Sequence, residues 1–466
     1  MDNKPDFKLG PNEIGITEKL SFGKSLFYGA QSIIALNVFL GVIIISGIMQ
    51  LDVVTTAVMI TLAFLACGVA TFIQAGFFMR YPVVQCTTFA ILAAFAAVAL
   101  THDMATAFGS LIIGAVVLIL LGVFKLFSYI MKVIPPIVAS VVIMVIGVSV
   151  MYTAGSNLVG TAMAAENTGV YFFLAILVFI LIFTFKAIGN TGLRIASICA
   201  RGGVLMAIVI ATIVAALCGQ TDFSAVAAAP WVALPPIGSF GMPKIDITSS
   251  MVFIVLYIII MVETVGNWFA ISYTAKVPIT KKEIDKGVIG EGLGCLLAAF
   301  IGSPPVTSYA TNCGVISITK VYSRWTAVGA GILVIILAFI PKLMYVIASL
   351  PGIVLWGVLL ALTVSILMSG MQSLSRYKIN ERNVLIIGIP IAITLFVSMF
   401  PMPLIMSMPM FLGYLFSSSI VIGTIVAIAL NLILPKEKGV TNDGSQHEED
   451  IAAAAEAEAA AAADKA

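Results

Sequence analysis

Apolar runs interrupted by short polar stretches recur from about residue 23 to residue 434. A helix needs roughly 20 apolar residues to cross a hydrocarbon core, and most of these runs approach or exceed that length. The pattern predicts spans over 23–49, 53–78, 83–100, 105–130, 134–154, 169–187 and 203–218 in the first half, and over 248–274, 287–302, 305–320, 325–340, 347–370, 383–400 and 410–434 in the second. Composition agrees: 61% of the 466 residues are hydrophobic and only 10% charged, against about 25% charged in a soluble domain. The expectation is an all-α polytopic membrane protein with 14 spans, both termini on one side. The first twenty residues show no short apolar core or small-residue cleavage site, so no cleaved signal peptide is expected. Beyond residue 434 the chain turns into a low-complexity Ala/Glu tail, 435–466, expected to be solvated.

Charge placement orients the chain. With a cytoplasmic N-terminus, 22 of the 24 Lys and Arg fall on the cytoplasmic side, leaving only Lys244 and Lys342 outside. This bias predicts a cell-membrane protein with both termini in the cytoplasm. A net charge of +2 gives no reason to expect a nucleic-acid partner. Six dispersed cysteines and only two histidines, His102 and His447, make a metal site or a disulfide framework unexpected. No cofactor is expected.

Two stretches read as degenerate copies. Arg80-Tyr81-Pro82-Val83-Val84-Gln85-Cys86-Thr87-Thr88-Phe89 opens a short span, and Ile134-Pro135-Pro136 opens a later one. Ser303-Pro304-Pro305-Val306-Thr307-Ser308-Tyr309-Ala310-Thr311-Asn312 and Leu350-Pro351-Gly352 repeat that order in the second half. Seven spans per half is an odd number, so equivalent spans run in opposite directions: a 7+7 inverted repeat. Spans 3 and 10 each read as an extended piece, Val83 to Thr88 and Val306 to Tyr309, followed by a half-helix. Irregular backbone at membrane depth is tolerated only where it is buried in protein or lines a cavity, and two half-helix N-termini would aim partial positive charge into one.

Only two of the 22 carboxylates, Glu263 and Glu291, fall inside spans. A charge there costs about 2.5 to 3.5 kcal/mol on insertion scales unless a cavity or partner receives it. Glu263 shares a helical face with Asn267 four residues on, and a ligand to substrate is favoured over an interhelical hydrogen bond. Glu291 lies in Gly290-Glu291-Gly292-Leu293-Gly294, where small residues allow close helix approach, and reads as a coupling carboxylate or as a helix–helix tie. Tyr309, Ala310, Thr311 and Asn312 put a ring, a hydroxyl and an amide at a half-helix entrance, where Thr311 or Asn312 can also cap. Thr88 and Phe89 hold the corresponding place in span 3. Gln31 is a polar residue inside span 1, equally readable as interhelical glue.

The segment from Pro305 to Lys320 resembles the signature of the nucleobase-ascorbate transporters, also called xanthine/uracil permeases: Asn312, Gly314 and, after four intervening residues, Thr319 match it. Val262-Glu263 followed by Gly266 is similar to that family's substrate-binding span 8. The resemblance implies a core domain of spans 1–4 (23–130) and 8–11 (248–340), a gate domain of spans 5–7 (131–218) and 12–14 (341–434), an extracellular loop over 219–247, a cytoplasmic N-terminus over 1–22, and a homodimer. It implies that Glu263 grips the base, that Phe89 and Tyr309 line its faces, and that Glu291 matches an acid important in xanthine-type members. Three positions depart: Thr311 stands where the family usually has Gln or Glu, Gln31-Ser32 where many members have Gln-His, and Asn267 where His or Asp is usual.

The expected function is a secondary active transporter importing a nucleobase, purine rather than uracil, with H⁺ (or Na⁺) as symported partner. Its partners are the base, the cation, membrane lipid and a second copy of the chain. An anion transporter or exchanger on a similar inverted-repeat plan is the alternative. An enzyme is not expected, because no histidine lies well inside a span and no nucleophile–base pair or metal-ligand set is visible.

Overall fold

The computed structural model describes residues 13–36, 38–127, 129, 136–189, 191, 196–275, 277–309, 312–374 and 380–435. In chain order the elements of the first half are α1 (Phe22–Leu36), α2 (Leu40–Met49), α3 (Val53–Ile73) continued by a π-turn (Gln74–Phe78), β1 (Gln85–Thr87), α4 (Leu92–Thr101), α5 (Met104–Val123), α6 (Pro136–Ala164), α7 (Thr168–Gly189) and α8 (Ala196–Leu217). After α9 (Ser224–Ala228) come α10 (Ile247–Thr274), α11 (Lys281–Ile301), β2 (Val306–Ser308), α12 (Asn312–Thr319), α13 (Arg324–Ala338), α14 (Pro341–Ala348) and α15 (Gly352–Leu374). The last elements are α16 (Glu381–Ser398), α17 (Met402–Met406), α18 (Met410–Ser417) and α19 (Ser419–Ile433). Of the expected N-terminal segment 1–22 and tail 435–466, residues 1–12 and 436–466 lie outside the described residues.

The protein is mostly helical and polytopic. Among the described residues seven helices are long and apolar enough to cross a membrane, or nine if each bent pair counts as one span. The bends explain part of the difference from the hydropathy pattern. α13 meets α14 at 87° and α18 meets α19 at 90°; Pro341 opens α14 without a backbone donor, and Ser418 between α18 and α19 is extended. The first predicted span is divided into α1 and α2, and α2 stops at Gln50, which adopts a left-handed conformation with φ 52°.

Helix starts follow local chemistry. The Asp52 carboxylate accepts from the Val54 and Thr55 amides at 3.0 and 3.2 Å to cap α3, and Asp103 accepts from Thr106 N–H at 2.6 Å to cap α5. Thr280 and Glu283 form a reciprocal capping box at the start of α11. Gly302, at φ 92°, ends α11, a conformation that glycine adopts without steric cost.

α13 packs on α1 and α3, α11 on α5 and α3, and α10 on α5, while α15 packs on α6 and α19 on α16. Two short segments lash these helices together. Near the N-terminus, Tyr322 N–H donates to Ile14 O at 2.8 Å and Ser323 Oγ to Glu18 O at 2.6 Å, tying residues 14–18 to the turn between α12 and α13. In the second segment, just before α10, Lys244 N–H donates to Ala105 O at 2.9 Å and its Nζ pairs with Asp103 at 2.6 Å, across the start of α5. Gly109 makes this possible, since a Cβ there would collide with Lys244 O.

Candidate functional site

The two extended pieces find each other. β1 and β2 pair antiparallel with register Gln85↔Ser308, Cys86↔Thr307 and Thr87↔Val306. Thr88 N–H to Pro305 O at 3.0 Å and Tyr309 N–H to Val84 O at 3.2 Å extend the ladder. Pro82 and Pro305, which cannot donate, keep helix from forming just upstream of each strand. Pairing satisfies backbone that lipid would leave bare. Each strand leads through an aromatic residue, Phe89 or Tyr309, toward a short helix, α4 or α12, and the two ring centroids lie 5.7 Å apart at 59°. Both rings are partly accessible, while the strands between them are buried.

The predicted polar residues gather around this crossing. Asn312 Nδ2 donates to Pro82 O at 2.6 Å, linking the start of α12 to the other arm. Asn267 Nδ2, on α10, donates to Ser308 O at 3.0 Å. Thr88 Oγ1 accepts from Ala90 N–H at 3.4 Å. These side chains hold backbone. Gln31, on α1, is half-buried and its Oε1 has no partner among the described residues. Ala310 and Thr311 lie outside the described residues.

The two carboxylates differ sharply. Glu291 is 1% exposed and accepts four hydrogen bonds: Gln74 Nε2 at 3.0 Å and Gln85 Nε2 at 2.7 Å on Oε2, Ser308 N–H at 2.7 Å and Thr264 Oγ1 at 3.4 Å on Oε1. It therefore joins the π-turn, both strands, α10 and α11. Gly290 leaves the room, because a Cβ there would overlap Gln74 Oε1. Glu263, one turn from Asn267 on α10, has no hydrogen-bond donor among the described residues and stays partly accessible between buried Val262 and Thr264. It lies within electrostatic reach of both Glu291 and Tyr309. An accessible acceptor without donors, near two accessible rings, suits a ligand that presents N–H groups on a flat ring.

Three partners of Glu291 escaped the sequence pattern: Gln74, Gln85 and Thr264. A glutamine inside an apolar run was the available signal, and it is the same signal that marked Gln31. Cys295 escaped as well, since its thiol donates to Val306 O at 3.1 Å and so ties α11 to β2.

A membrane-embedded crossing of two strands, each leading into a short helix, beside a buried carboxylate and an open one, defines a transporter fold. The xanthine/uracil model of the permease family matches residues 23–403, and the chain belongs to that family. It is 33% identical to CPE0397 of Clostridium perfringens, provisionally named a purine permease, over 90% of this chain and 92% of that one. It is 29% identical to the uric acid transporter UacT of Escherichia coli, over 93% of this chain and 89% of that one. Among solved structures, the transmembrane domain of the cyanobacterial bicarbonate transporter BicA superposes with a TM-score of 0.59 at 14% identity, covering 90% of this chain and 100% of that one. That likeness concerns the fold. The family and the apolar helices together make the chain a multi-pass membrane protein of the permease family.

Proposed function

We propose that the protein is a secondary active transporter that imports a nucleobase, a purine such as xanthine or urate in preference to uracil, by proton symport. The observation that carries this reading is the open Glu263 carboxylate near the Phe89–Tyr309 ring pair. A nucleobase edge alternates N–H and C=O, so Glu263 accepts from the N–H groups, amides at the starts of α4 and α12 donate to carbonyls, and the two rings cover the π-faces. In this reading Ala310, Thr311, Asn312, Thr88 and Gln31 also contact the base, and Glu291 and Asn267 serve coupling.

The same reading takes the chain as 14 spans in a 7+7 inverted repeat, with spans 1–4 and 8–11 as the moving core, the remainder as gate, a homodimer in the cell membrane, and both termini cytoplasmic. One proton moving through 100 mV supplies about 2.3 kcal/mol, enough for roughly 50-fold accumulation of a neutral solute. The anion alternative draws on the bicarbonate transporter's fold, but a carboxylate at the site repels an anion.

The test is uptake of labelled xanthine by cells lacking their own nucleobase permeases, competed with unlabelled bases and repeated with a protonophore. Saturable, protonophore-sensitive uptake is expected, and the strongest competitor names the substrate. Chloride or sulfate flux without uptake of any base, by protein shown to reach the membrane, overturns the reading.

A further inference from the structure

We infer that Gln85 is a positioning residue whose side-chain amide turns over as Glu291 Oε2 gains and loses the transported proton, carrying that change into the paired strands. The inference rests on the proton-symport reading. Two glutamines donate to the same oxygen of Glu291, yet they are held differently. Gln74 Nε2 donates both to Glu291 Oε2 and to Gly287 O, each at 3.0 Å, so its amide is pinned. Gln85 Nε2 has Glu291 Oε2 as its single partner among the described residues, at 2.7 Å. Gln85 is buried, and its Oε1, like that of Gln74, is a buried acceptor with no donor among the described residues, so the two amides differ in what holds their nitrogens.

Rotation by half a turn about the last side-chain torsion exchanges the amide's oxygen and nitrogen within the same outline. In the orientation seen, an N–H faces a carboxylate oxygen. In the turned orientation Gln85 Oε1 faces Glu291 Oε2 and requires a proton between them. That proton bonds to Oε2 and donates to Oε1; no other bond forms or breaks, and its release returns the amide. Gln85 is suited to pass this on, because its backbone N–H is fixed by Thr71 Oγ1 at 2.9 Å and its residue pairs with Ser308, whose N–H holds the other oxygen of Glu291.

The titratable groups around Glu291 are few. Glu263 faces it from α10, and Cys295 lies one turn along α11. Tyr257 on α10 lies beside Cys295, and Cys67 on α3, Cys86 on β1 and Tyr309 just after β2 stand near the crossing, while α5, β2 and the π-turn contribute no titratable side chain.

The experiment measures labelled-xanthine accumulation against external pH, with and without protonophore, alongside exchange of labelled for unlabelled base, for wild type, Gln85→Met and Gln85→Glu. A donor to a charged acceptor contributes more than an acceptor from a neutral hydroxyl. Gln85→Met is therefore expected to keep exchange while its half-maximal uptake pH moves up by about one unit, a tenfold change in proton affinity. Gln85→Glu, of the same shape, sets two carboxyls to share one proton. Exchange then persists, while protonophore-sensitive accumulation falls at least about tenfold on the same scale. If either folded variant keeps the wild-type pH profile and protonophore response, the inference is wrong while symport stands. If wild-type accumulation ignores the protonophore, symport fails and the inference with it.

Discussion

Glu263 and Glu291 are chemically identical and lie within electrostatic reach of each other on the neighbouring helices α10 and α11, yet the fold treats them in opposite ways. Glu291 is ringed by four donors from four other segments, whereas no donor among the described residues reaches Glu263. A buried carboxylate is tolerated when its lone pairs are filled, and an open one at membrane depth is costly unless something arrives to fill it. The difference separates a carboxylate that organises the crossing from one kept available at its edge.

The largest effect expected is on transport. Glu263→Gln should abolish uptake, lowering it by about 100-fold or more, as loss of a charge-assisted contact of about 3 kcal/mol implies, while melting temperature and surface expression stay close to wild type. Near-normal xanthine uptake by this variant would remove the contrast altogether. Glu291→Gln should act on folding as well, because its amide NH₂ would then meet either the Gln74 donor, which Gly287 O holds in place, or the fixed Ser308 N–H. Each unsatisfied group costs about 1 to 3 kcal/mol, so a reduced melting temperature in detergent and reduced yield should accompany lost uptake; a melting curve matching wild type would refute the organising role.

Gly290→Ala sharpens the comparison from the other side. The new methyl displaces Gln74 from Glu291 and is expected to destabilise by about 1 to 3 kcal/mol, with uptake lowered and substrate affinity nearly unchanged in surviving protein. Unaltered thermal stability would show that Gln74 moves aside freely.

The smallest effect belongs to the clasp at Asp103. The hydrogen bond from Lys244 and the Thr106 cap hold the Asp103 carboxyl below the usual carboxylate range. A depressed carboxyl contributes stability above its unfolded value and loses it as pH falls through the folded one, so the clasp is intact at neutral pH and releases only below about pH 4. Both groups are well exposed, and Asp103→Asn, which can still cap α5, should change melting only slightly and less in high salt. Rapid proteolysis of the 219–246 loop at neutral pH in Asp103→Asn alone would mean that the ion pair does more than steady the loop.

Much of this was legible in the chain. Long apolar runs marked α3, α5, α6, α10 and α15, because a lipid-facing helix needs a run of that length. Pro82 and Pro305 marked the extended pieces, and the rarity of carboxylates within runs marked Glu263 and Glu291. The pairing of Gln85–Thr87 with Val306–Ser308 was not legible: three residues carry no periodicity, and the partner lies more than 200 positions away. Asn267 and Asn312 were recognisable as polar residues at depth, but a side-chain amide serves a ligand or a backbone carbonyl equally well, and only the fold places Ser308 O and Pro82 O beside them. Gln74 was hidden because a π-turn after α3 shifts its direction from the one a regular helix would give.

The brevity of the strand pair constrains how this protein can change over generations. With the register Gln85↔Ser308, Cys86↔Thr307 and Thr87↔Val306, deletion or insertion of a single residue in either arm turns every side chain to the opposite face. Gln85 would leave Glu291, and Phe89 would leave Tyr309. If the ring pair and Glu263 bind the solute as proposed, new solute preferences are reachable by point substitution there, while length variation is confined to the loops outside the crossing.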